Sequence, residues 1–155
     1  MKQLFLFFLI LFTCELFARQ IEETTFSYWD KPDAKIFYSI PDSINANTKI
    51  IFIMHGASRR AKKYLNDWLP MANKRNVVLI APEFSEEFYP EYIYLMMSTQ
   101  KGKLLKNESL YLTDSLGLLF DYFKAKLKLS TTSFRLYGHS GGSQFVHRYL
   151  LLSDE

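Results

Sequence analysis

The chain has 155 residues, 48% hydrophobic and 23% charged, a balance that excludes a disordered polymer and leaves room for one domain with a real core. A net charge of +3 is too small and too dispersed to argue for a nucleic-acid partner, and one Cys with three His cannot build a zinc site. Aromatic residues make up 17%, with 14 Phe and 10 Tyr, which suits either an aromatic-lined pocket or an A+T-rich genome.

Residues 1–18 read as an export signal. Lys2 gives a positive start, and Leu4 to Phe12 form an uncharged apolar core. That run is too short to span a bilayer, which needs ~20 residues. Cleavage after Ala18 is expected, although Leu16 is larger than the residue usual there, and residues 19–155 then form the mature domain. Leu11-Phe12-Thr13-Cys14 loosely matches a bacterial lipid-attachment pattern, which makes Cys14 an alternative lipid anchor; an uncleaved hydrophobic tail is the third reading. No transmembrane span is expected.

Thr24 to Trp29 and Lys35 to Ile40 alternate as two antiparallel strands, turned by Asp30-Lys31-Pro32-Asp33. After a loop at residues 41–47, Lys49 to Met54 is a strand whose continuous apolar run, Ile50 to Met54, marks burial on both faces. Ala61, Tyr64, Leu65, Trp68, Leu69 and Ala72 recur at helical spacing, and Pro70 is expected to kink or restart that helix. Val77 to Ala81 is the next buried strand, closed by Pro82. Residues 83–107 have no clean period. Their aromatics either line a binding loop at a strand's carboxyl end or merely anchor a surface excursion. Leu112, Leu116, Leu119, Phe120, Phe123 and Leu127 form the stripe of a helix over about 109–129, in which Gly117 is expected to permit close approach to the sheet. A last strand, Phe134 to Tyr137, precedes a helix from Ser143 to Leu152. The pattern predicts an α/β domain, a mostly parallel sheet with helices on both faces.

Two motifs carry chemistry. Gly138-His139-Ser140-Gly141-Gly142 is a Gly-x-Ser-x-Gly turn between strand and helix. Such a turn holds the serine hydroxyl toward substrate, and the flanking Gly138 and Gly142 remove side chains that would collide. The N–H of Gly141 opens the following helix, where backbone donors and the helix dipole favour an oxyanion. The plainer reading is a glycine-rich turn after an edge strand. The second motif, His55-Gly56-Ala57-Ser58, ends the Lys49–Met54 strand. Gly56 lets the loop approach the turn. The motif resembles the loop that supplies the second oxyanion donor in α/β-hydrolases, which implies the N–H of Ala57 in that role, with Ser58 as an assistant. His55 reads as a structural histidine beneath the loop in preference to a catalytic one.

Together these motifs resemble the α/β-hydrolase superfamily. The segment from Gly138 to Arg148, with Ala81-Pro82-Glu83-Phe84 and Phe88-Tyr89-Pro90, resembles esterases of the polyhydroxybutyrate-depolymerase-like group, over roughly residues 35–152. The resemblance implies ester hydrolysis through an acyl-enzyme on Ser140, no cofactor, no metal, and a small-molecule or polymeric ester as substrate. It also implies the chain order nucleophile, acid, histidine. Only 15 residues follow Ser140. His147 lies about 10.5 Å farther along a helix, outside the ~3 Å reach of a general base. His139 is expected to point away from the site, and Asp114 to cap or pair at its helix start. The acid and histidine are therefore expected downstream, with the α/β-hydrolase domain here represented by its N-terminal portion. Two other readings stand beside the esterase: a peptidase or acyltransferase on the same fold, and a non-catalytic secreted binding protein that kept the scaffold.

Overall fold

A computed structural model describes residues 19–153. The expected export signal and Cys14 lie outside the described residues. Five strands, β1 (Glu22–Phe26), β2 (Ala34–Ser39), β3 (Lys49–Met54), β4 (Val77–Glu83) and β5 (Phe134–Gly138), form one sheet in the order β1-β2-β4-β3-β5. β1 and β2 are an antiparallel hairpin, and β2 runs antiparallel to β4. The section β4-β3-β5 is parallel. The sheet is thus mixed, with its parallel half under the two motifs.

Period-two alternation along β3 sends successive side chains to opposite cores. Ile53 joins Leu79, Ala81 and Phe37 beneath helix α1 (Ala61–Ala72). Ile50, Phe52 and Met54 face the larger core, with helices α2 (Ser115–Lys126) and α3 (Gly141–Leu152). Helices on both faces follow from parallel crossovers, which must pass over the sheet.

Several boundaries differ from the sequence reading. β1 ends at Phe26, not Trp29, because the chain curls back: the Trp29 ring meets Phe26 edge-on at 5.0 Å, and its Nε1 donates to the Pro32 carbonyl at 3.0 Å. Pro70 neither breaks nor restarts α1. It sits in the last turn, where the missing N–H removes one bond only. The end of α1 is closed by Asn73 N–H on the Leu69 carbonyl (2.9 Å) and by the buried Arg19 guanidinium on that of Ala72 (3.0 Å). Arg19 also donates to the carbonyls of Ser39, Ile40 and Val77, tying that helix end to β2 and β4. β4 runs through Pro82 to Glu83; Pro82 lies beyond the last β3–β4 pair, Phe52 with Ile80, where β4 pairs only with β2. The helix expected from 109 starts at Ser115, since Leu112 is held in the loop by its N–H on the Leu95 carbonyl at 2.9 Å.

Residues 84–110 hold two 3-10 turns, Tyr92–Tyr94 and Glu108–Leu110, separated by an isolated bridge, Ser98 with Leu104. Phe84, Tyr89 and Tyr92 are buried, so these aromatics anchor the excursion; Phe88 stays exposed. Tyr92 stacks on Phe145 of α3 (5.1 Å), and Phe145 on Tyr149 (5.9 Å). The contact recorded at Gly117 is with α3, not with the sheet as expected: its N–H donates to the Tyr149 hydroxyl at 3.2 Å.

Candidate active site

Parallel pairing sets the geometry. Ile50 to Met54 on β3 pair with Phe134 to Gly138 on β5, so both strands release their loops at the same edge of the sheet. His55-Gly56-Ala57 and His139-Ser140-Gly141 are therefore neighbours although 84 positions separate Gly56 from Ser140 in the chain.

Ser140 has φ 55° and ψ −122°, a conformation sparsely occupied by side-chain-bearing residues, and it is exposed. The surrounding backbone holds it there. Gly142 N–H donates to the His139 carbonyl at 3.0 Å, and Ser143 donates through both N–H (3.0 Å) and Oγ (2.6 Å) to the Ser140 carbonyl. The flanking glycines are steric necessities. A Cβ on Gly138 would overlap the Gly142 carbonyl; one on Gly142 would overlap the Met54 carbonyl and stand 2.7 Å from that of His55. The turn is wedged against the end of β3 with no room for a methyl group.

Gly141 heads α3, where the first N–H groups have no intrahelical acceptor. The Ala57 nitrogen lies 3.1 Å from where a Cβ on Gly141 would stand, and Ser140 Cβ lies 3.5 Å from the same point built on Gly56. The two N–H-bearing backbones thus converge beside Ser140. Ser58 lines an adjoining groove of about 320 Å³ with Arg60, Tyr64, Trp68, Tyr137 and His139.

The three histidines sit apart in role. His55 is wholly buried. Its Nε2 accepts the Phe84 N–H at 3.1 Å, which leaves Nδ1 as the donor to the Gly56 carbonyl at 2.9 Å. Burial foremost, and the nearby Arg59 charge, push its pKa down to about 4, so it is a neutral strut under the loop. His139 turns to Tyr64, whose hydroxyl lies 3.3 Å from Nδ1. His147 is exposed, seven positions along α3 from Ser140. Asp114 makes no capping bond and pairs with the buried Lys31 ammonium at 3.0 Å. Among the described residues no cluster of His, Cys, Asp or Glu could hold a metal, and no helix is long and apolar enough to cross a membrane.

Sequence reasoning passed over three residues that frame this site. Arg59 and Tyr64 follow the His-Gly loop, and Ile93 touches the Gly141 position. A signal for the first was present: Arg59, Arg60, Lys62 and Lys63 crowd a helix start with no acid, against the dipole's preference.

No family model matches the sequence, and neither does any curated protein sequence. Solved structures do match. A poly(aspartic acid) hydrolase from Sphingomonas sp. KT-1 is 28% identical with a TM-score of 0.75, over 84% of this chain and 50% of its own. A poly(3-hydroxybutyrate) depolymerase from Bordetella parapertussis is 22% identical with a TM-score of 0.71, over 86% and 48%. An acetyl xylan esterase from Aspergillus awamori is 12% identical with a TM-score of 0.61, over 86% and 49%. The chain spans about half the length of these structures. Hydrolases and esterases thus surround it, and what it shares with them is the α/β-hydrolase fold.

Proposed function

We propose that this chain is the nucleophile-bearing portion of an exported serine hydrolase that cleaves carboxylic esters. Ser140 Oγ attacks the ester carbonyl, the N–H groups of Ala57 and Gly141 hold the oxyanion of the tetrahedral intermediate, and the alcohol leaves to give an acyl-enzyme that water hydrolyses. The observation behind this reading is the strained Ser140 backbone at a helix head, beside the converging Ala57 nitrogen. His55, His139 and His147 are otherwise engaged or too distant, so the proposal assigns the activating acid and histidine to polypeptide beyond Glu155. The similar structures include hydrolases of poly(aspartic acid) and poly(3-hydroxybutyrate) as well as an S-formylglutathione hydrolase, so the proposal covers polymeric and small-molecule esters alike. Amide hydrolysis and acyl transfer share the first half-reaction, and turnover of matched esters, amides and acyl acceptors separates them.

A fluorophosphonate probe tests the nucleophile directly. Folded full-length protein is expected to be labelled at Ser140, and Ser140→Ala to be silent. A folded protein that resists the probe would sink the assignment in favour of a non-catalytic binding scaffold.

A further inference from the structure

Arg59 stands at φ 57°, in the left-handed region that side-chain-bearing residues seldom occupy. Its N–H closes a turn on the Gly56 carbonyl at 3.1 Å, and Ala57 and Ser58 are the two central residues of that turn. The guanidinium reaches out of the turn altogether. Nη1 donates to the Phe84 carbonyl at 2.7 Å and Nη2 to the Pro90 carbonyl at 3.0 Å. Its carbon lies 4.7 Å from the centre of the Tyr92 ring. Tyr92 sends its own hydroxyl to the His55 carbonyl. One side chain therefore fastens the loop bearing Ala57 to residues 84–92, next to where Ile93 meets Gly141.

A local need for the turn does not explain this arginine. Glycine adopts a positive φ without steric cost, so an arginine held there against its backbone preference points to its side chain. Oxyanion donors must lie ~2.7–3.1 Å from the developing charge, and a shift of about 1 Å can cost ~100-fold in rate. We propose that Arg59 is a positioning residue: by tying the turn to residues 84–92 it holds the Ala57 N–H where the oxyanion forms. This rests on reading Ser140 as the nucleophile.

Two variants separate the guanidinium from the turn. Arg59→Gly keeps, and eases, the positive φ while removing the clamp. Arg59→Lys keeps the cation but not the two-carbonyl reach. In phosphonylation the Ser140 Oγ–P bond forms, the P–F bond breaks, and fluoride and the serine proton depart, with the phosphoryl oxygen in the oxyanion site. The labelling rate of Arg59→Gly is expected to fall by about 10- to 100-fold, with Arg59→Lys in between. Amide exchange is expected to quicken together at residues 56–60 and 84–92. Labelling of Arg59→Gly at the wild-type rate would overturn the proposal, as would exchange that quickens at 56–60 alone. Should Arg59→Gly unfold, the same comparisons on Arg59→Lys decide. A wild type that resists the probe removes the nucleophile reading by itself, and exchange at 84–92 then decides whether Arg59 joins the loops.

Discussion

His55 shows how one side chain ties the chemistry of the loop to the stability of the domain. Buried at the end of β3, it uses both ring nitrogens, one on the Phe84 N–H and one on the Gly56 carbonyl. Protonation would put a second donor where the Phe84 N–H already points, with Arg59 nearby. The folded state therefore holds the pKa at about 4 against 6.5 for the free side chain. The sign follows from linkage: between these values the unfolded chain binds more protons, so stability rises with pH. His55 contributes in full above pH 6.5, and the contribution is withdrawn as pH falls through 4. The difference corresponds to about 3 kcal/mol. Urea unfolding of wild type and His55→Gln from pH 7 to 4 should show a steeper loss in wild type by roughly that amount. Equal slopes would mean that His55 is not held neutral. The sequence reading anticipated the place of this histidine from the His-Gly pair. It had no means of naming Phe84 as its partner, since that bond spans 29 positions and no local pattern encodes it.

Elements were legible in proportion to how far local pattern decides them. β3 matches its expected bounds, because the five-residue apolar run Ile50 to Met54, covered on both faces, admits few other readings. α2 was overdrawn at its start because Leu112, which fits the helical stripe, is recruited into the loop by Leu95. What caps α2 was also hidden. Asp114 stands at the capping position but gives its carboxylate to Lys31. The Gly117 N–H, one of the donors a helix start leaves open, goes to the Tyr149 hydroxyl of α3, 32 positions away. Tyr149 is buried and stacked on Phe145, which packs on Tyr92 beneath the His-Gly loop. The helix that follows Ser140 thus doubles as the cap of its neighbour. Tyr149→Phe keeps the ring and removes the acceptor, and should cost about 1–2 kcal/mol, read as a lower urea midpoint with an unchanged m-value. A midpoint within error of wild type would mean that this bond contributes nothing.

At the scale of the whole molecule, the sheet is asymmetric. β3 lies between β4 and β5 and is shielded on both faces, whereas β5 pairs with β3 alone among the described residues. Its side chains are only partly covered: Phe134, Leu136 and Tyr137 remain half-buried. On either side lie exposed apolar residues, Met71 in the last turn of α1 and Leu150 to Leu152 along α3. An unpaired strand edge flanked by exposed apolar residues is a surface that folded proteins ordinarily pair or blunt. The strand that delivers Ser140 is thereby the least supported of the parallel strands. A parallel strand turns alternate N–H groups to its two sides, so in the 155-residue chain alternate amides of Phe134–Gly138 should exchange with solvent well before those of Ile50–Met54. The matched part is about half of each of the two solved structures. If a further strand pairs with β5 in a longer form, its fast amides become protected there, and Ser140 gains a rigid base. Uniform protection of β5 in the 155-residue chain would instead mean that its edge is already covered, and a second copy of the chain would be the first candidate to seek by sedimentation.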